Sequence, residues 1–337
     1  MVVAQLSFAL MGFIDAVLMG QLGVDALAGG GLGSIIYQFF YIVGIGILVA
    51  TANFIAFAEG ERNHAAIHTA LLSGAVAVLA MCVVFGLAIW QIGPLLVWFG
   101  QPVHAVVNAQ AYLDVVVWSL LPAFGFILLR GLVLGLGKPG AILPISIVAT
   151  ILNYPLSHAL MTGWGGLPVM GIQGVALGTV IVSVFMFLGL AWLTYRQHLF
   201  QPFKFWVGWD HFSWHQLRQT FGLGIPIAIA HAMEIGMFAV AALLIGTLGV
   251  DALAAHQITL QCTTLSFMIP LGLAQAVSAQ VGSAYGQRDF QRLLQVVRAG
   301  LALGTCTAAG AGFLFIALPE LLTDLFIDRQ SGADLQH

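Results

Sequence analysis

The chain has 337 residues, of which 60% are hydrophobic and 7% charged, with a mean hydropathy of +1.01. Soluble domains carry roughly 25% charged residues, so this chain cannot clothe a water-facing surface and its solvent is largely lipid. A net charge of −3 gives no basis for nucleic-acid binding.

The chain opens on MVVAQLSFALMGFIDAVLMG. It has no basic residue ahead of its apolar run and carries Asp15 within it, so it reads as a retained span rather than a signal peptide. A helix crossing the hydrocarbon takes about 20 mostly apolar residues. On that measure nine spans are predicted, at about 2–22, 31–57, 66–92, 106–130, 139–162, 171–195, 222–248, 257–283 and 294–318. The stretch 199–221, LFQPFKFWVGWDHFSWHQLRQTF, mixes aromatics with charge and reads as an interfacial linker.

Basic residues orient the spans. Arg62 falls between spans 2 and 3, and Arg130 and Lys138 flank the turn between 4 and 5. Arg196, Lys204 and Arg218 lie between 6 and 7, and Arg288, Arg292 and Arg298 between 8 and 9. Loops after spans 1, 3, 5 and 7 hold no Lys or Arg. The positive-inside rule therefore predicts a cytoplasmic N-terminus.

The chain contains a copy of itself. Gly20–Ala28 reads GQLGVDALA and Gly246–Ala254 reads GTLGVDALA, and at the same offset GERN at 60–63 meets GQRD at 286–289. Span 1 thus matches span 7, and span 2 matches span 8. Six spans separate the copies, an even number, so both share one orientation in a parallel repeat. The domains expected are a six-span N-lobe (1–198), the linker (199–221) and an incomplete C-lobe of three spans (222–337). Both ends read as trimmed relative to a twelve-span parent, since the equivalent of Pro226 falls just before Met1.

Ionisable groups inside spans are expensive and are functional candidates by default. Asp15 lies in span 1 and Glu234 in span 7. They are not repeat-equivalent: Asp15 corresponds to Ala241, and Glu234 to Phe8. Seven residues, or two helical turns, separate the two positions, so each acid leaves the matching face at a different depth. Both are expected to face the protein interior. Asn153 in span 5 can coordinate a cation or bond an acid, and Pro155 frees carbonyls beside it. Thr179 in span 6 can also bond its own helix backbone. His231, one turn before Glu234, could share a proton with it. Asp114 near the start of span 4 reads as interfacial. His64/His68 and His211/His215 have the spacing of a metal pair but no completing ligand nearby, so they read as solvated faces. The three cysteines, Cys82, Cys262 and Cys306, lie in apolar runs with no metal spacing. Gly29–Gly33 follows no strand and reads as a helix entry with close helix contact. No enzyme motif such as GxSxG or HExxH is present.

The segments AQLSFALMGFIDAVLMGQLGVDALA, RGLVLGLGKP, LNYPL, GIPIAIAHAMEIGMFAVAALL and LGVDALAAHQITLQCTTLSFMIPLGLAQAVSAQVG resemble the multidrug and toxic compound extrusion (MATE) family, especially its bacterial NorM-like branch. The resemblance covers essentially the whole chain. It implies an all-α integral membrane protein of the inner membrane and secondary antiport of organic, often cationic and amphipathic drugs against Na⁺ or H⁺. It implies no cofactor and no obligate protein partner. By motif match it makes Asp15 the acid of an N-lobe cation site, with Asn153 and Thr179 beside it. Glu234 becomes the C-lobe cation-site acid, where Na⁺ could also bind. Ser34 and Gln257 match positions lining the drug cavity. Ser157 stands four after Asn153, where the family has a stronger polar ligand. Two other readings stay open: a flippase for lipid-linked sugars of the same superfamily, which would line its cavity with basic residues, and a transport-inactive membrane fragment.

Overall fold

Apolar runs in lipid have no water to satisfy their backbone groups, so each closes its hydrogen bonds within a helix. The computed structural model describes residues 2–98, 100, 102–166, 168–196, 212–246 and 250–317, and the regular structure among them is helical throughout. In chain order the helices are α1 (Val2–Gln21), α2 (Val24–Gly60), α3 (His64–Trp90), a short α4 (Ile92–Trp98) and α5 (Val103–Val116). After α5 come α6 (Leu120–Gly135), α7 (Ile142–Thr162), α8 (Ile172–Arg196), α9 (Trp214–Gly246), α10 (Val250–Gly286) and α11 (Phe290–Ala317). A 3-10 turn over Val117–Ser119 joins α5 to α6 into one rod. Pro122 cannot donate to the carbonyl four residues back, so the helix tightens just ahead of it.

Seven helical stretches among the described residues are long and apolar enough to cross a membrane: α2, α3, the α5–α6 rod, α7, α8, α9 and α11. Several expected boundaries move. α2 and α10 each run 37 residues, because the repeated VDALA strip is helical and only Leu22-Gly23 separates α1 from α2. Gly23 makes that reversal at φ 110°, a region open to glycine and costly for other residues. The glycines of 29–33 therefore sit inside α2. A Cβ at Gly29 or Gly33 would strike the α5 backbone around Ala105 and Ala109, so the close helix contact holds.

Residues 199–211 of the expected linker lie outside the described residues. In its remainder α9 begins at Trp214 rather than near 222. Ser213 caps it by accepting from the Gln216 amide at 3.3 Å. Leu217 and Thr220 are buried while His215, Arg218 and Gln219 stay exposed, so the charged turns form an amphipathic start to the helix.

The internal repeat survives in three dimensions in detail. Arg62 and Arg288, at the same offset, both adopt positive φ (55° and 57°). Behind each, matching backbone bonds close the helix end: Asn63 to the Ala58 carbonyl at 2.9 Å, and Asp289 to the Ala284 carbonyl at 3.0 Å. Asn63 and Asp289 then cap the next helix through the amides of Ala66 and Arg292. A non-glycine residue in this left-handed conformation costs about 1–2 kcal/mol. Arg62→Gly and Arg288→Gly should therefore each raise stability by about 1 kcal/mol. Thermal unfolding in detergent would check it, and a fall in both midpoints would refute the strain argument.

The two copies meet at equivalent residues. A Cβ on Gly60 would strike Ser283 and Gly286, and a Cβ on Gly286 would strike Phe57 and Gly60. Phe57 and Ser283 share the repeat offset, as do Gly60 and Gly286, so the α2–α10 crossing is symmetric in the repeat. Ala56 and Gly282 touch in the same way one turn earlier. Further along, Gly46 lies against Ala228 of α9, and Gly224 of α9 against Ile47. α2 thus packs on α5 through its first half and on α9 and α10 through its second.

The buried apolar core lies between Leu18 and Leu190, with Leu217, Ala228 and Ala284 as its outliers among the described residues. Its centre is α2, α3, the α5–α6 rod, α7 and α8.

Candidate functional site

α1 packs on α7, and both touch α8. That arrangement buries Asp15 to 6% exposure and Asn153 to 1%. The Asp15 carboxylate receives two hydrogen bonds. Thr179 Oγ1 donates to Oδ2 at 2.7 Å, and Asn153 Nδ2 donates to Oδ1 at 3.3 Å. Three residues from three helices, far apart in sequence, meet at one acid. A buried carboxylate is tolerable only with such donors.

Two oxygens here are left over. Asn153 Oδ1 and Ser157 Oγ are buried with no partner among the described residues. They sit one turn apart on one face of α7. Ser157, however, is pressed against Gly178 in a close α7–α8 contact. It does not bond Asp15, so the cluster is Asp15, Asn153 and Thr179. Carboxylate, amide carbonyl and hydroxyl are hard oxygen donors, which suit an alkali cation or a proton.

A second set of hydroxyls borders this cluster, and the sequence had not singled it out. Tyr37 and Tyr112 lie within electrostatic range of Asp15. Ser119 and the Tyr37 hydroxyl are 2.7 Å apart, and Ser119 also donates to the Val116 carbonyl at 2.6 Å. A single hydroxyl proton cannot serve both, so Tyr37 donates to Ser119 and keeps its own lone pairs free. Ser34, expected in the drug cavity, is half-buried and engages the Tyr112 hydroxyl. No short motif marks these residues. Only the packing of α2 on α5 collects them.

Glu234 differs from its expectation. Its side chain is 46% exposed, with His231 Nδ1 3.6 Å from its Oε2. The buried stripe of α9 runs through Leu217, Thr220, Gly224 and Ala228, and Glu234 leaves the helix off that stripe. The predicted neighbour His231 is present; the predicted burial is not. Gln257 lies in α10, but its side chain is outside the described residues, as is that of Cys262.

Other expectations sort as follows. Asp114 is exposed and accepts from Gln110 Nε2 at 2.7 Å. His64 is exposed, but His68 is buried at 7%, so that pair is not a solvated face: α3 turns His68 inward with Ile67 and Leu71. His211 lies outside the described residues, and His215 pairs with Gln219 at 3.1 Å. No group of three metal-binding side chains occurs among the described residues. Arg130, placed by its sequence context at a turn, is instead inside α6 and 6% exposed.

With this geometry in place, the relationships of the chain follow. The MatE family model matches residues 1–158 and 226–335. The chain is similar to the probable multidrug resistance protein NorM of Pseudomonas putida, at 35% identity over 334 residues, covering 99% of this chain and 72% of that protein. Its likeness to the NorM of Pseudomonas syringae pv. tomato is 31% over 333 residues, with the same coverage. In three dimensions it superposes on the eukaryotic MATE transporter AtDTX14 with a TM-score of 0.87 at 16% identity, covering 99% of this chain and 74% of that one. It also superposes on an outward-facing multidrug resistance MATE family transporter with a TM-score of 0.81 at 18% identity, covering 99% and 73%.

Proposed function

The chain belongs to the MatE family of multidrug efflux transporters, and from that premise we propose that it exports cationic, amphipathic organic compounds in exchange for Na⁺ or H⁺ across a bacterial cytoplasmic membrane. The observation that carries this reading is the buried Asp15 with its two donors and the unpartnered Asn153 carbonyl beside it. A cation bound at Asp15 would take that carbonyl as a ligand. A proton would make Asp15 a donor to the same oxygen. Either ion satisfies an atom that is otherwise buried without a partner.

Coupling then has a simple electrostatic form. An empty Asp15 is negative and favours a cationic drug nearby; an occupied Asp15 is neutral and does not. A ligand shifts a conformational balance only by its differential affinity for the two states. Glu234, exposed and paired with His231, supplies a second acid, on α9. Its role as the C-lobe cation site is part of this proposal.

Nine spans, the N-lobe of 1–198 and a cytoplasmic N-terminus complete the arrangement. The close α2–α10 crossing lies at the end that carries Arg62 and Arg288, which positive-inside reasoning places in the cytoplasm. A substrate cavity would then open on the opposite side. The flippase alternative calls for basic residues along the cavity. Arg130 is the buried Lys or Arg among the described residues, and it lies within the helix bundle rather than on an open wall.

The test is reconstitution of the full chain in liposomes under an imposed Na⁺ or H⁺ gradient. Saturable, gradient-dependent movement of cationic dyes is expected, slowed about tenfold in Glu234→Gln by loss of one charge-assisted interaction. Faster movement of anionic than of cationic dyes, or no gradient-dependent movement at all, would overturn the proposal.

A further inference from the structure

α9, the helix that opens the second copy of the repeat, lies on α2 and α3 of the first. Its contact with α2 is apolar and close: Gly46 meets Ala228, and Ile47 meets Gly224. One residue forward on α2 is four residues back on α9, so the two helices run antiparallel. One turn further toward the Gly60–Gly286 crossing, that register brings Thr51 of α2 level with Thr220 of α9. α3 completes the wedge. Its Gly74 lies against the Thr51 side chain, and Ser73 Oγ donates at 3.4 Å to the Ser213 carbonyl, at the start of α9. Gln216 stands on α9 between Ser213 and Thr220.

The wedge breaks a habit kept elsewhere in the bundle. A hydroxyl within a helix ordinarily donates to the carbonyl one turn back. Thr69, Ser146, Ser183 and Thr263 all do so, at 2.9, 2.9, 2.7 and 2.7 Å. Thr51 Oγ1, Thr220 Oγ1 and Gln216 Nε2 do not: each is enclosed with no hydrogen-bond partner among the described residues. Thr51 is 1% exposed and Thr220 0%, so bulk water does not reach them. Enclosing an unpartnered polar group costs free energy that is recovered when the group is wetted. Three such groups between the copies therefore weigh against the closed seam. The α10 flank of α2 carries the opposite device, since Ser278 Oγ donates to Asn53 Oδ1 at 2.9 Å and ties the copies together.

We infer that Thr51, Gln216 and Thr220 are the release of the seam between the repeat halves. They are unpartnered while α9 lies on α2 and α3, and are wetted when it moves off. They keep the closed seam near balance with the open one, against the Asn53–Ser278 bond that latches it. A seam of glycine, alanine and isoleucine alone would favour closure, and a two-state element responds to a ligand only while its states lie close in free energy.

The experiment follows hydrogen–deuterium exchange over 214–228 of α9 and 46–60 of α2 in the full chain in liposomes. Wild type is compared with Thr51→Val plus Thr220→Val, with Thr220→Ser, and with Ser278→Ala. Valine keeps the shape of threonine and removes the hydroxyl, so the double variant should exchange about tenfold more slowly in both segments. Thr220→Ser keeps the hydroxyl and should show no slowing. Ser278→Ala removes the latch and should exchange faster. Unchanged or faster exchange in the valine variant overturns the inference, as does slowing in Thr220→Ser. Should the double variant not be recovered as folded protein, Thr51→Val alone carries the same comparison. Cationic dye movement should also slow in the valine variant, and only this arm rests on the antiport reading. Absence of dye movement in wild type overturns that reading and leaves the exchange comparison to decide the seam.

Discussion

Asp15→Asn should leave the protein folded and remove most of its ion-driven efflux. The side chains are nearly the same size, and the amide keeps a carbonyl to accept from Thr179 Oγ1, now 2.7 Å away. What disappears is the titratable charge. Hydrogen bonds to a charged group contribute about 1.5–3 kcal/mol each. Trading the charged acceptor for a neutral one, with two donors aimed at it, should weaken cation affinity by about tenfold to a hundredfold. The new amide N–H₂ also brings a donor to a place already filled by donors, since Asn153 Nδ2 points at Oδ1. That adds a repulsive contact which only a rearranged Asn153 relieves. Efflux at equal expression, together with a thermal unfolding midpoint, decides the matter. Wild-type efflux in the variant would remove Asp15 from the coupling scheme, and loss of folded protein would make its role structural.

Enlarging Gly60 or Gly286 is the second large effect. A Cβ at either position meets backbone atoms of the facing helix rather than a flexible side-chain tip. The helices must part, and overpacking of this kind costs about 1–3 kcal/mol. Gly60→Ala and Gly286→Ala should each lower stability by that amount and reduce efflux, because the crossing can no longer close. The two changes should not add. Each glycine meets the other, so once one methyl group has separated α2 from α10 the second finds room already made. A double variant close to the worse single variant is therefore expected. Full additivity in unfolding measurements would show that the two positions do not share one contact.

The repeat explains why this crossing exists. Equivalent stretches GERN and GQRD end α2 and α10 with the same left-handed arginine, followed by a capping side chain at the same position, Asn63 in one copy and Asp289 in the other. Like-shaped ends meeting across a local twofold axis place each glycine opposite its counterpart. A residue tolerated in one copy is thereby constrained by the other.

Much of this was legible in the chain itself. Apolar run length implied the helical class, because a backbone in lipid has no alternative partner. The repeat was legible too, since GQLGVDALA and GTLGVDALA are local strings that need no fold to compare. Asp15 and Asn153 stood out because polar groups inside apolar runs are conspicuous one at a time. The resemblance of their flanking segments then suggested that they belong together, with Thr179.

Tertiary structure alone decided the rest, and the reason is the same in each case: burial is a property of pairs of helices, not of a string. Glu234 and Asp15 look alike in sequence, yet one is half exposed and the other enclosed, because α9 turns a different stripe toward α2. Arg130 reads as a loop-flanking cation until the α5–α6 rod proves continuous past Ser119 and carries it inside. His68 reads as solvated until α3 rolls it inward. Tyr37 and Ser119, more than eighty positions apart, share a 2.7 Å contact because small residues at Gly29 and Gly33 let α2 approach α5 closely. Composition determined the solvent and the kind of element; the close approaches between helices determined which polar groups became neighbours and which were left without partners.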